Sequence, residues 1–193
     1  MKALQELPAG YNEIYRLNLQ RDKKTALFVN IFSLIIAVAM FVPMIFIVPL
    51  SSLFSFIENM MTEKLVRILV LIGAGIAYIF LHELVHGITM KAYGTKKVKY
   101  GYTGLYAFAG SDDYYDKKSY IVIALAPIVV FLVVFAVLSF IVPLEWFWVV
   151  YFLQICNVSG AAGDLFVTFK FSKMPKDILV KDSGVEMTVY AKQ

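Results

Sequence analysis

The residues best equipped for chemistry are His82, Glu83 and His86, which stand in the run His82-Glu83-Leu84-Val85-His86. On a helix, positions four apart lie one above the other on a single face, so both imidazoles can reach one ion. Glu83 is offset toward the edge of that face, where it can take a proton from water without being a ligand. The chain has only two histidines, and both are in this run. Two histidines placed at random fall four apart roughly once in a hundred cases, and a glutamate after the first is rarer still, so chance is a weak account of the motif. The chemistry these residues support is hydrolysis assisted by Zn2+.

Catalytic zinc takes three protein ligands and leaves its fourth position to water or substrate, so another donor must come from elsewhere in the chain. Of the seven aspartates, only Asp164 lies inside an apolar segment. On a continuous helix Asp164, Gly160 and Asn157 share a face, with small residues that allow close helix approach. Gly75, seven residues before His82, would serve the same purpose on the other helix. Asn157 is a candidate donor to a polarised carbonyl oxygen, a helix–helix hydrogen bond being the other reading. If Asp164 does not serve, Asp112, Asp113 and Asp116 are the next acidic candidates. The single cysteine, Cys156, excludes an internal disulfide and a cysteine-rich metal site, and it is read as packing.

The elements that must position these groups are unlike those of a soluble domain. The chain is 60% hydrophobic and 17% charged, with a mean hydropathy of +0.73, against about 45–50% apolar and about 25% charged in soluble domains. The expected architecture is an all-α polytopic membrane protein, a single membrane domain over 1–193. Its four transmembrane helices are expected at 26–50, 65–92, 120–142 and 146–169. Residues 1–24 form a polar arm whose alternation at Tyr15, Leu17 and Leu19 suggests an exposed strand. The connector 51–64, with Phe54, Phe56, Ile57, Met60 and Met61, is weakly amphipathic and suits the membrane interface. Residues 170–193 read as a polar tail.

Lysine and arginine are distributed unevenly among the polar segments. The arm holds five, the stretch between the second and third spans six and the tail five, whereas the connector holds two and the turn after Pro143 none. The positive-inside rule therefore places both termini and the loop 95–119 in the cytoplasm. It also accounts for the net charge of +4 without nucleic acid as a partner. Four spans with both ends on one side are self-consistent. The stretch 97–110 alternates Val98, Tyr100 and Tyr102 with glycines around Leu105 and Ala107, and reads as a small β-hairpin in that loop. A flexible glycine-rich loop is the alternative. As a hairpin just after the zinc helix, it would let Tyr100 and Tyr102 hold an extended substrate strand.

A His-Glu-x-x-His within a span, a Gly/Tyr-rich loop after it and an aspartate in a later span resemble the site-2 protease class of intramembrane metalloproteases. HELVHG, Lys99-Tyr100-Gly101-Tyr102, Ala126-Pro127 and Gly163-Asp164 look closer still to the bacterial zincin-peptidase family, over residues 65–170. That resemblance implies that His82, His86 and Asp164 bind zinc and that Glu83 activates water. Site-2 proteases usually carry Asn-Pro or Leu-Asp-Gly at the third ligand, whereas here the order is Gly-Asp with Asn157 seven residues upstream.

The function expected is that of a multi-pass zinc endopeptidase in a bacterial cell membrane. Its partners would be the lipid bilayer and a membrane-spanning or membrane-adjacent protein or peptide, cut near the cytoplasmic face. A non-catalytic scaffold or transport accessory with a structural metal site is the alternative, and Glu83→Gln separates the two. A metal transporter fits less well, because a single span carries histidines and no series of ligands runs along a path.

Overall fold

A computed structural model describes residues 2–54, 60–104 and 106–192. In chain order the elements are β1 (Tyr11–Leu17), α1 (Lys23–Ile47), a short 3-10 turn (Leu50–Phe54), α2 (Met60–Ala92), β2 (Lys99–Tyr102), β3 (Ala107–Gly110), β4 (Tyr114–Asp116), α3 (Lys117–Ile141), α4 (Leu144–Gly160), α5 (Ala162–Ser172), β5 (Leu179–Asp182) and β6 (Met187–Lys192). Four helical stretches, 23–47, 62–92, 117–141 and 144–172, are long and apolar enough to cross a membrane. Large apolar side chains stand outward along them, with Phe140 90% and Phe46 81% exposed. An apolar surface of that extent is the kind a bilayer covers. Residues 55–59 of the expected interfacial connector lie outside the described residues, as does Leu105 of the hairpin.

The chain divides into two compact units, one made of Met1–Val29, Phe80–Pro127 and Gly163–Gln193, the other of Asn30–Ile79 and Ile128–Ala162. The second unit is helical and held by aromatic packing and a few buried polar bonds. Trp148 is fully buried against Phe41 and Phe152, at ring separations of 5.7 and 5.6 Å. Its indole N–H donates to the Pro49 carbonyl, while Tyr151 donates to the Met40 carbonyl and Ser33 to the Ser159 carbonyl. Side-chain bonds between helices in hydrocarbon contribute about 0.6–2 kcal/mol each, a modest gain because the same groups find other partners when the helices are apart.

The first unit corrects the all-α expectation. The arm and the tail meet in a four-stranded antiparallel sheet of order β1-β6-β5-β4, in which Tyr11 pairs with Lys192, Leu179 with Tyr190 and Tyr115 with Val180. β5 and β6 form a local hairpin, whereas β1 meets β6 only across nearly the whole length of the chain. β1 itself falls where alternation predicted it, but one of its faces is covered rather than exposed, and Leu17 is 3% exposed. Leu17, Val180 and Val189 form a core with Val167 and Phe171 of α5, Tyr120 and Ile123 of α3, and Met90 of α2. The expected hairpin is present as a separate two-stranded sheet, with Tyr100 opposite Ala109 and Tyr102 opposite Ala107.

The fourth apolar stretch is also not one helix. Ala161 adopts φ −84° and ψ 19°, which ends α4 and lets α5 begin at Ala162. A Cβ built on Gly160, Gly163 or Gly75 would meet no described atom within 4 Å, so the close helix approach expected at Gly160 and Gly75 is not what these glycines serve. Gly160 and Gly163 instead flank the break, in a sequence too poor in side chains to favour continuing the helix. The break places Asp164 in the first turn of α5, where the exposed backbone N–H groups favour a negative charge.

Candidate metal centre

His82, Glu83 and His86 lie on the stretch of α2 that belongs to the first unit, and Asp164 joins them from α5. The two imidazole rings are 4.9 Å apart and nearly perpendicular, and both histidines are buried. His82 Nε2 stands 3.4 Å from one Asp164 carboxylate oxygen and His86 Nε2 stands 3.6 Å from the other. One donor atom from each residue lies within 4.8 Å of the other two. Direct N–H···O hydrogen bonds run at about 2.7–3.2 Å, shorter than either separation. Ligands held at about 2.0–2.2 Å around a tetrahedral zinc stand roughly 3.3–3.6 Å apart. The donors are close enough together to reach one ion, and two imidazoles with a carboxylate are a set that zinc accepts.

Each donor is oriented by its surroundings. His86 Nδ1 is 2.9 Å from the Ile123 carbonyl oxygen. A carbonyl can only accept, so Nδ1 carries the proton and donates, leaving the Nε2 lone pair directed to the Asp164 side. Glu83 is half-buried, and the backbone N–H of Ala109 in β3 lies near its carboxylate. Tyr100 of β2 rests on α2 beside His86, where a Cβ on Gly87 would overlap its phenol. The glycine of HELVHG is therefore a close-approach position for the hairpin.

The hydrogen-bond parity of the hairpin shows which edge faces the centre. Thr103 N–H donates to the Tyr106 carbonyl, so Gly101 and Phe108 are the next bonded pair, and the main-chain groups of Ala107 and Ala109 point outward from β3. The Ala109 N–H near Glu83 lies on that outer edge. One step further along, Ser111 N–H donates to the Asp182 carbonyl of β5. Of the two tyrosines expected to contact substrate, Tyr100 rests against Gly87 of α2, and the outer edge of β3 also lies near Glu83.

The remaining candidates make contacts of their own. Tyr102 is 72% exposed and donates to the Gly104 carbonyl across its own turn. Asn157 is fully buried; its amide donates to the Ile128 carbonyl and its side-chain oxygen accepts from Tyr78. Helix–helix bonding, the other reading of Asn157, therefore uses both ends of its side chain. Asp112 pairs with Lys99 at 2.6 Å, and that hydrogen bond holds its carboxyl below the usual range. Asp116 caps α3 through Ser119. Cys156 is exposed, which corrects its reading as a packing residue.

Sequence reasoning missed Asp182. Its carboxylate is buried and accepts from the Tyr120 hydroxyl at 2.7 Å and from the Gly184 N–H at 2.8 Å. Burial outweighs those two donors and raises its carboxyl above the usual range. An Asp-Ser-Gly run signals a turn but not burial. Only the folding of the tail onto α3 brings Asp182 near the centre.

A paired His-Glu-x-x-His on a helix with a third, acidic donor from a later helix defines the zincin type of metal centre. Residues 75–179 match the family described as "Putative zincin peptidase", and the chain belongs to that family. A Pyrococcus woesei protein, described as an uncharacterized 24.7 kDa protein in the gap 5′ region, is 36% identical over 117 residues. That alignment covers 58% of this chain and 50% of the relative, so the chain spans about half the length of the curated protein it matches. No solved structure matches it.

Proposed function

We propose that the protein is an intramembrane zinc endopeptidase of the site-2-protease type, acting on membrane-spanning or membrane-adjacent peptides near the cytoplasmic face. The observation that carries this reading is the clustering of the His82, His86 and Asp164 donors, with Glu83 beside them and near an edge strand. His82, His86 and Asp164 would hold the ion. Zinc bound there supplies Lewis acidity, which makes water nucleophilic at neutral pH and polarises a peptide carbonyl.

The chain's own groups do the rest. Glu83 takes the proton of the attacking water and passes it to the leaving amine. The Ala109 N–H lies near the Glu83 carboxylate and offers it a fixed donor. The outward main-chain groups of Ala107 and the outward carbonyl of Ala109 suit a substrate in extended form, added as a further strand on β3. A membrane helix has its own backbone groups bonded internally, so it must unwind before it is cut, and a free strand edge supplies partners for the groups released.

The lysine and arginine asymmetry supports placing the sheets and both termini on the cytoplasmic side. The decisive experiment compares membrane proteomes of cells carrying wild type and Glu83→Gln. Intact substrate should accumulate with the variant, although the variant retains its zinc. A scaffold with a structural metal would tolerate Glu83→Gln, and equal substrate levels with full zinc in both would overturn the peptidase reading.

A further inference from the structure

The Ile123 carbonyl that receives His86 lies inside α3, where main-chain carbonyls are normally taken by the N–H four residues on. Four residues after Ile123 stands Pro127. Proline has no N–H, and its ring presses on the carbonyl of residue i−4, tilting it away from the helix axis. An unpaired carbonyl buried in an apolar helix is costly, so it requires a donor from outside the helix. The His86 Nδ1–H, at 2.9 Å, is that donor. Pro127 is itself almost fully buried, in the helix interior rather than at an end where proline is tolerated at little cost.

We propose that Pro127 is a positioning residue of the metal centre. By deleting one helical N–H, it releases the Ile123 carbonyl to fix the tautomer and ring orientation of His86. The proline acts through that carbonyl and supplies no donor of its own to the centre. Helix stability is thereby given up at one position in return for a ligand already turned the right way. Thr89 and Ser139 donate to carbonyls four residues back on their own helices, but those carbonyls are not paired with a proline. The inference rests on the zinc reading of His82, His86 and Asp164.

The test is Pro127→Ala, with Pro43→Ala in α1 as the control proline. Alanine at 127 restores an N–H that competes with His86 for the Ile123 carbonyl. Zinc affinity, measured by competition with a chelator, should fall about 10–100-fold, the range typical of lost outer partners. The melting temperature of the metal-free protein should stay level or rise, because the helix regains a bond. A purely structural proline would move stability without moving affinity. Pro43→Ala should leave zinc affinity unchanged. An affinity for Pro127→Ala within twofold of wild type overturns the proposal. Should the variant fail to fold, 15N NMR of His86 in the zinc-loaded wild type decides, since a bare Nδ1 overturns the proposal equally. Zinc failing to bind the wild type would overturn the metal-site reading, and this inference with it.

Discussion

At the scale of single residues, the centre separates into groups that would hold the ion and one that would use it, and the two kinds respond differently to substitution. Asp164 lies 3.4 Å from His82 Nε2 and 3.6 Å from His86 Nε2. Asp164→Asn removes the anionic donor while keeping its shape, and purified protein should then lose most of its zinc and all cleavage. Glu83 lies beside the donors, near the Ala109 N–H. Glu83→Gln should hold zinc as tightly as wild type, with cleavage reduced by at least about 100-fold, as expected when a general base is removed. Metal analysis of the two variants side by side checks both expectations, and zinc at wild-type level in Asp164→Asn would discard the ligand assignment. Two histidines and a glutamate at helical spacing were visible in the sequence, because the geometry they need is local. The Ile123 carbonyl was not, because it is a main-chain group that becomes available only where Pro127 and His86 face each other.

At the scale of elements, the hairpin and the cap of α3 can be tested separately. The N–H groups of Ala107 and Tyr102 point away from each other on opposite outer edges of the hairpin, so a proline at either position leaves the β2–β3 ladder intact. Ala107→Pro deletes a donor from the edge beside Glu83 and should cut turnover of a peptide substrate several-fold, with bound zinc unchanged. Tyr102→Pro alters the far edge and should leave turnover near wild type. Equal losses in both variants would mean that the hairpin is needed only as a fold. Asp116, the cap of α3, accepts the Ser119 N–H at 2.9 Å and its hydroxyl at 3.0 Å. Burial alone would raise this carboxyl, but its donors, the Ser119 N–H first among them, outweigh it and hold it below the usual range. A carboxyl lowered in the folded state stabilises at pH values above its unfolded pKa, and that contribution is lost as pH falls through the folded value. Asp116→Ala should therefore cost about 1 kcal/mol near neutrality. The gap between the two proteins should narrow below about pH 4, as chemical denaturation at several pH values would show.

At the scale of the whole molecule, orientation in the bilayer is the property most open to test. Cysteines placed at exposed Lys96 and Lys176, in a Cys156→Ser background, should resist an impermeant thiol reagent in intact cells. A cysteine at exposed Ser51 should be labelled. Labelling at Lys96 would invert the proposed arrangement. The same scale explains why the tail was misread. Leu179 to Asp182 and Met187 to Lys192 are short runs with mixed patterns, and their apolar faces are covered by α3, α5 and β1. Periodicity read along a segment cannot show a partner more than 160 residues away, such as Tyr11 opposite Lys192.

The amino-acid sequence by itself determined the four apolar stretches, the chemistry of the His82-Glu83-x-x-His86 run and Asp164 as its acidic candidate. Each of these depends on composition or on spacing within one element, which the chain carries wherever it folds. The tertiary structure decided the rest. Ala161 breaks the fourth apolar stretch and sets Asp164 at the start of α5. The tail pairs with β1 and β4 and buries Asp182 against Tyr120. The outer edge of β3 meets Glu83, and Asn157 goes to Tyr78 and Ile128 instead. These outcomes turn on which backbone groups are left unpaired once helices and strands have formed, and pairing of that kind is a property of the packed chain.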